Sequence, residues 1–256
     1  MTAADEARPG RRRGVVGLLL GLVGVVILCA LGTWQVERLH WKEGVLRQID
    51  ERTHAPPQPA DAVAATAERT GDVEYIPVSA HGRFLNGAER FFISTFGGDA
   101  GWNVYVPMDL GGNRFVWINR GFVPYDRKDP ATRREGLIDG ETDVTGLARN
   151  VAAEKPSWLV PNNDTAKNQF FWKNLGELGL GAGLPADARV LPFVIDAGSG
   201  RAPGGWPVGG TTVIDIPNNH LQYAITWYGL ALVLASMLGY QVFRAFRPLA
   251  PAPDRG

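Results

Sequence analysis

Two long uncharged apolar runs, one near each end of the chain, restrict its fold more than any other feature. Residues 15–32 and 221–243 contain no charged side chain. At about 1.5 Å per residue, the first run would form a helix about 27 Å long, close to the thickness of a bilayer's hydrocarbon core. Tyr223, Trp227 and Tyr228 lie near one end of the second run and Tyr240 near the other, as interfacial aromatic residues do. The pattern predicts transmembrane helices at residues 14–32 and 220–243.

A cleaved signal peptide is the alternative interpretation of the first run. The apolar part of a signal peptide is usually about 7–15 residues long and ends in a small-x-small cleavage site. This run is longer, and residues 30–34 make a poor site. We therefore favour an uncleaved anchor.

Basic residues beside the two runs predict the orientation of the chain. Four arginines lie within residues 8–13, and Arg244 and Arg247 follow the second run. Because cytoplasmic flanks of membrane helices are enriched in Lys and Arg, we expect both tails, residues 1–13 and 244–256, in the cytoplasm, or in the matrix of a mitochondrial protein. Residues 33–219 would then form a periplasmic domain of a multi-pass protein in the cell inner membrane.

The middle of the chain shows patterns of a short helix followed by strands. Apolar residues at near-helical spacing predict that the first helix continues through residues 33–53, until the prolines of residues 56–59 end it. Runs rich in β-branched and aromatic residues then predict strands, with a tight hairpin loop at residues 111–113. The predicted strands are residues 73–84, 90–96, 102–110, 114–123, 144–148, 190–195 and 212–216.

One short helix, near residues 170–178, is predicted to interrupt the strands, and glycine-rich residues 179–183 and 198–210 are predicted loops. The expected fold class is a membrane protein with two transmembrane α-helices flanking a mainly antiparallel β (α+β) extracytoplasmic domain.

Charge and cysteine content exclude several classes of function. The chain of 256 residues carries 26 basic and 26 acidic side chains, which gives no reason to expect nucleic-acid binding. Cys29 is the only cysteine, so neither an intramolecular disulfide nor a thiol pair for metal or redox chemistry can form. The four histidines lack metal-site spacing, and no nucleophile elbow or phosphate-binding loop is present. We therefore expect no enzymatic activity.

The most unusual segment, residues 218–229, places polar groups at the start of the second apolar run. On a helix, His220, Tyr223, Ala224 and Trp227 would share one face. One interpretation puts His220 in the wet interface, with Asn218 or Asn219 capping the helix. The other makes His220 the ligand of a haem iron, with the indole of Trp227 beside the macrocycle.

Arg120 is the second candidate, because it follows a predicted strand and precedes the turn at Gly121. A structural pairing with a carboxylate or carbonyl of the domain is favoured over contact with a ligand.

Three segments carry a resemblance to a known family. Residues 31–42 read LGTWQVERLHWK, residues 116–124 read VWINRGFVP, and residues 219–231 read NHLQYAITWYGLA. In this order they resemble segments of the surfeit locus protein 1 family. The chain departs from the family pattern at Asn174, where an acidic residue is more usual, and in residues 198–210, which match nothing in the family.

The resemblance implies an assembly factor for haem-copper oxidases of the cytochrome c oxidase type. Bacterial members are implicated in binding haem a and helping its insertion into oxidase subunit I, so subunit I and other assembly factors would be partners. Carried over by position, His220 would ligate the iron, with Trp227 and Tyr223 beside the haem. From charge alone, Arg38, Lys42 and Arg120 could meet the haem propionates.

Two other functions remain open. The chain could be a haem-free membrane scaffold that binds and stabilises oxidase subunits, or a periplasmic enzyme anchored at both ends.

Overall fold

The computed structural model describes residues 9–211 and 218–246, with side chains from residue 14 onward. The chain divides into two compact units, residues 1–47 with 215–256 and residues 48–214. The helices are α1 (Pro9–Thr53), α2 (Ala60–Thr70), α3 (Leu175–Gly179) and α4 (His220–Phe246). The strands are β1 (Gln58–Pro59), β2 (Pro77–Phe84), β3 (Arg90–Phe96), β4 (Asp99–Asp109), β5 (Arg114–Pro124), β6 (Glu141–Asn150), β7 (Arg189–Ala197), β8 (Gly200–Arg201) and β9 (Val208–Gly209).

The first unit is a pair of long helices. Both α1 and α4 are long and apolar enough to cross a membrane. Most of their apolar side chains are exposed in the isolated chain, Leu20 and Leu232 among the most exposed. The two predicted spans lie within α1 and α4, and α1 continues without interruption to Thr53.

Glycines of α1 let α4 approach closely. A Cβ atom added at Gly32 would lie 2.9 Å from the ring of Tyr228, and one at Gly21 would lie 2.5 Å from Leu238. Residues early in α1 contact residues late in α4, and later residues of α1 contact earlier residues of α4. The two helices are therefore antiparallel. On α4, Ala224 and Ala231 are buried. Small residues at such an interface bring the helix backbones together and increase van der Waals contact.

The second unit is built around a closed β barrel. β2 pairs with β4 and β6, β6 with β7, β7 with β5, and β5 with β4, which closes the ring. β3 extends the sheet beside β4, β1 joins β2, and the β8–β9 hairpin meets β5 where Phe122 pairs with Val208. Closure pairs the backbone groups that an open sheet would leave at its edges.

Side chains that point alternately to the two faces of the strands form two apolar cores, one inside the barrel and one outside it. In β5, Val116 and Ile118 point into the barrel, whereas Trp117 between them points outward. Helix α2 packs against the inner core through Val63. On the outside, Phe170 and other residues of the segment between β6 and β7 cover Trp117. The period of two along each strand therefore supplies apolar surfaces on both sides of the sheet.

The strand predictions agree with the structure from residue 77 to residue 197. Residues 90–96 and 114–123 match β3 and β5 closely, and the predicted hairpin loop joins β4 to β5. The fold class is confirmed as two apolar helices that flank a β-rich domain. Most strand pairs are antiparallel, although β5–β7 and β1–β2 are parallel.

Other predictions were wrong. Helix α2 was not predicted, and α3 begins at Leu175 instead of near residue 170, because Phe170 N donates to Phe91 O in a bridge to β3. β2 begins at Pro77 instead of residue 73, since Tyr75 has a positive φ that breaks the extended backbone. The predicted loop 198–210 contains β8, β9 and a 3₁₀ helix, Pro203–Gly205. The predicted strand at residues 212–216 lies outside the described residues.

Candidate functional site

The centre of the candidate site is a hydrogen bond between the two long helices. His220 is the first residue of α4, and its Nδ1 lies 2.7 Å from Oε1 of Gln35 on α1. An amide oxygen can only accept, so Nδ1 carries the proton and donates it. Gln35 is 9% exposed, which makes it a buried polar residue of α1. In the neutral imidazole this tautomer has its lone pair on Nε2, the nitrogen that can coordinate a metal.

A second polar contact joins the helices further along. The hydroxyl oxygens of Thr33 and Tyr228 are 2.9 Å apart. Thr33 Oγ1 donates its only proton to the carbonyl of Cys29 at 3.0 Å, so Tyr228 is the donor to Thr33. Together with the His220–Gln35 bond, this contact fixes the register and rotation of α4 against α1.

The predicted haem-contact residues differ in their surroundings. Ala224 is 2% exposed and lies on the α4 face that packs against α1, one turn after His220. Trp227 is partly buried, whereas the side chain of Tyr223 is 54% exposed. On the face that these residues were predicted to share, Ala224 therefore packs on α1, whereas Tyr223 is exposed.

The capping interpretation concerns Asn218 and Asn219, which precede α4. The main-chain carbonyl of Asn219 accepts from Tyr223 N at 3.2 Å, as in a first helical turn. The side-chain oxygen of Asn218 is buried and has no hydrogen-bond partner within residues 9–211 and 218–246. Asn218 therefore does not cap α4 through its side chain.

Two predicted propionate partners follow Gln35 on α1. Arg38 and Lys42 are three and seven residues beyond it, a spacing that places all three on one side of a helix. The guanidinium of Arg38 lies 4.3 Å from the centre of the Trp41 ring, and Arg38 remains exposed, whereas Lys42 is partly buried. Cationic groups thus lie one and two turns beyond Gln35.

Arg120, the third predicted partner, belongs to the barrel unit. Its Nη2 donates to Gly136 O at 2.6 Å, and its guanidinium lies 4.6 Å from the centre of the Phe84 ring. The carbonyl partner agrees with the structural interpretation of this residue. Arg120 is 7% exposed, and burial lowers the pKa of its guanidinium to about 10. The structure thus brings His220 and Gln35 together and places Arg120 in the other unit.

The donor set of the helix pair fits a haem iron. Within the described ranges, no group of three or more His, Cys, Asp or Glu side chains could hold a metal ion. A haem iron needs only one or two axial ligands from the protein. A ligating histidine usually donates its other ring N–H to an acceptor, as His220 does to Gln35.

Comparison with known proteins identifies the family. The model of the SURF1 family matches residues 22–232. The chain belongs to the SURF1 family. The match includes His220 and Gln35 together with the whole barrel.

Members from animals and a protist are similar over most of their length. Surfeit locus protein 1 of Mus musculus is 33% identical over 238 residues, which cover 86% of this chain and 73% of the relative. Surfeit locus protein 1 of Homo sapiens is also 33% identical, over 78% of this chain and 69% of the relative. A SURF1-like protein of Monosiga brevicollis is 29% identical, over 92% of this chain and 91% of the relative.

Sequence reasoning missed Gln35, Thr33 and Tyr228 as parts of this SURF1-family site. A signal existed for Gln35, because it is a polar residue three positions after Gly32, on the side of α1 that carries its interhelical glycines. No pattern within the sequence pairs Gln35 with a residue 185 positions away.

Proposed function

We propose that this SURF1-family chain is an assembly factor for a haem-copper cytochrome c oxidase, which binds haem a and assists its insertion into subunit I. Family membership supports the class of function. The observation that carries the haem assignment is the 2.7 Å bond from His220 Nδ1 to Gln35 Oε1. It fixes the orientation of the imidazole and occupies Nδ1, so that Nε2 is the nitrogen that suits iron ligation.

Six residues of the helix pair have roles in haem binding. His220 supplies Nε2 to the iron, and the haem iron contributes the ligand-binding and redox chemistry when it is bound. Gln35 orients the imidazole, Trp227 and Tyr223 contact the macrocycle, and Arg38 and Lys42 pair with propionates. The propionate role is proposed only for the two cations of the helix pair, and Arg120, in the barrel unit, is not included. The chain acts without catalytic turnover, and its partners are subunit I and other assembly factors.

The proposal includes a membrane topology. Both α1 and α4 have the length and composition of membrane spans. Arginines precede the first run and follow the second, which favours cytoplasmic tails and a periplasmic domain at residues 33–219 of an inner-membrane protein.

Absorption spectroscopy of the purified full chain tests the haem assignment. The chain is expressed in cells that make haem a and is purified in detergent. We expect a Soret band that the His220→Ala variant loses. His40→Ala is the matched control, because His40 is an exposed histidine of α1 that does not contact α4 in any described hydrogen bond. Equal haem content in wild type and His220→Ala would remove the ligand assignment.

The same preparations test the scaffold alternative. If subunit I co-purifies with a haem-free chain, and the His220→Ala variant retains subunit I, the chain acts as a scaffold and the haem proposal fails. If His220→Ala loses haem while it still binds subunit I, haem binding and partner binding are separate properties of the protein.

A further inference from the structure

A cavity of about 490 Å³ opens on the barrel unit, next to the β8–β9 hairpin. Apolar side chains, including Phe84, Val144 and Pro207, form part of its wall. Arg120, Arg201 and Asp143 contribute charged groups to the same wall. The volume lies within the usual range for small-molecule sites, which are mostly apolar and carry a few polar groups.

Arg120 is a buried cation with incomplete hydrogen bonding. Its Nη2 donates to Gly136 O, but its Nη1 is buried and has no partner within the described parts of the chain. A buried guanidinium N–H without an acceptor carries a desolvation cost that a bound acceptor would remove. Arg120 also lines the cavity, so a ligand acceptor that reached Nη1 would remove this cost.

The neighbouring carboxylates do not neutralise Arg120. Glu89, which acts on Arg120 electrostatically, is itself bound by Arg133, with 2.8 Å between Nη1 and Oε1. Asp143, on the cavity wall, accepts from Nδ1 of His81 at 2.9 Å. Two arginines and one carboxylate therefore line the cavity, and the wall has an excess of one basic side chain.

The backbone around Arg120 is held rigidly. Asn119 donates to Asp196 Oδ1 at 2.9 Å, and its own side-chain oxygen accepts from Gly121 N at 3.0 Å. Gly121 has a φ of +110°, and a Cβ atom there would lie 1.8 Å from Val208 O. Only glycine fits this close approach. The guanidinium is therefore presented from a fixed position, which reduces the entropy lost on binding.

We propose that this cavity binds the carboxylate of a small organic acid with a short apolar tail. One carboxylate oxygen accepts from Nη1 of Arg120, the exposed Arg201 adds charge at the opening, and the tail packs against the apolar wall. The excess of one basic side chain fits a monoanion, whereas a phosphate dianion would leave a negative charge unbalanced in a partly apolar site. The proposal is independent of haem binding, because all its residues belong to the barrel unit.

Calorimetric titration of the full chain in detergent tests this site with three probes at constant ionic strength. Butyrate carries both the carboxylate and the tail, 1-butanol carries the tail alone, and inorganic phosphate is an anion without a tail. We expect saturable binding of butyrate only. Arg120→Met and Arg201→Gln should each weaken it by about tenfold, the effect of losing one charge-assisted contact.

Arg69→Gln is the matched control, because Arg69 is an exposed arginine of α2 that does not line the cavity. It makes the same change of charge and should leave butyrate binding unchanged. Arg201 is also exposed, so Arg201→Gln tests the site even if Arg120→Met fails to fold. The proposal is overturned if 1-butanol or phosphate binds as tightly as butyrate, if butyrate does not saturate, or if Arg201→Gln behaves like Arg69→Gln.

Discussion

At the scale of single residues, Gln35 orients the imidazole of His220 and favours the tautomer with its proton on Nδ1. Gln35→Leu removes the acceptor of the Nδ1 proton, so the imidazole can rotate or place its proton on Nε2. We expect haem binding to weaken by about 10–100-fold, the usual cost of losing such an outer partner. Gln35→Glu keeps an acceptor and should retain most binding. Haem titration followed at the Soret band measures both variants.

Gln222→Leu is the control for this prediction, because Gln222 is an exposed amide near the same end of the helix pair. It should bind haem as wild type does. If Gln35→Leu also binds haem with wild-type affinity, Gln35 does not position the imidazole.

His81 gives the barrel unit a pH-dependent contact at the residue scale. Hydrogen bonds to Asp143 and Glu141 raise the pKa of His81 above its usual 6.5. The contribution of these ion pairs to the stability of the folded chain is therefore fully present below the pKa of His81 in the unfolded chain. It is lost as the pH rises through the pKa of His81 in the folded chain. We expect His81→Gln to destabilise the chain more at about pH 5 than at about pH 8. Urea unfolding at both pH values measures the difference.

His40→Gln is the comparison for His81, because His40 lies on α1 and makes no described contact with a carboxylate. Equal destabilisation by His81→Gln at both pH values would show that its ion pairs do not contribute.

At the scale of elements, Gly32 determines how closely α4 packs on α1. A Cβ atom at this position would lie 2.9 Å from the Tyr228 ring, and the ring is held by its bond to Thr33. Gly32→Ala therefore forces the helices apart or breaks that bond, and we expect a loss of roughly 1–3 kcal/mol in the free energy of unfolding. Unfolding of the full chain in mixed micelles with increasing SDS measures it.

Gly239→Ala makes the same chemical change at a position of α4 where the added Cβ would meet nothing within 4 Å. Alanine is the better helix former, so this control should be neutral or slightly stabilising. If both variants have the same effect, close packing at Gly32 does not stabilise the pair.

Individual elements differ in how well the sequence predicts them. Strand β5 was predictable because β-branched and aromatic residues run through it without interruption. Helix α2 was missed although Ala60, Val63, Ala64 and Ala67 are spaced for one helical face, because alanine is weakly apolar and the preceding prolines suggested a loop. Its burial against the inner core decides its structure, and that contact is not visible in a local pattern.

The candidate site was predictable only in part for the same reason. His220 was found because a polar residue at the start of an apolar run is unusual, and the family resemblance gave it a role. Its partner Gln35 and the buried Nη1 of Arg120 depend on contacts between elements far apart in the chain. Tertiary packing creates these features, and one sequence without its fold does not encode them in any spacing.

At the scale of the whole molecule, the proposed topology predicts which residues reagents can reach from outside the cell. Cys29 is the only native cysteine and lies within the first apolar run, so single introduced cysteines report cleanly. Gly87 is exposed on the barrel unit, and an added side chain there would meet nothing within 4 Å. We expect Gly87→Cys to react with a membrane-impermeant maleimide in intact spheroplasts. Ala252→Cys, in the predicted cytoplasmic tail, should react only after lysis. The reverse pattern would exclude a periplasmic barrel, and with it haem delivery from the periplasmic side.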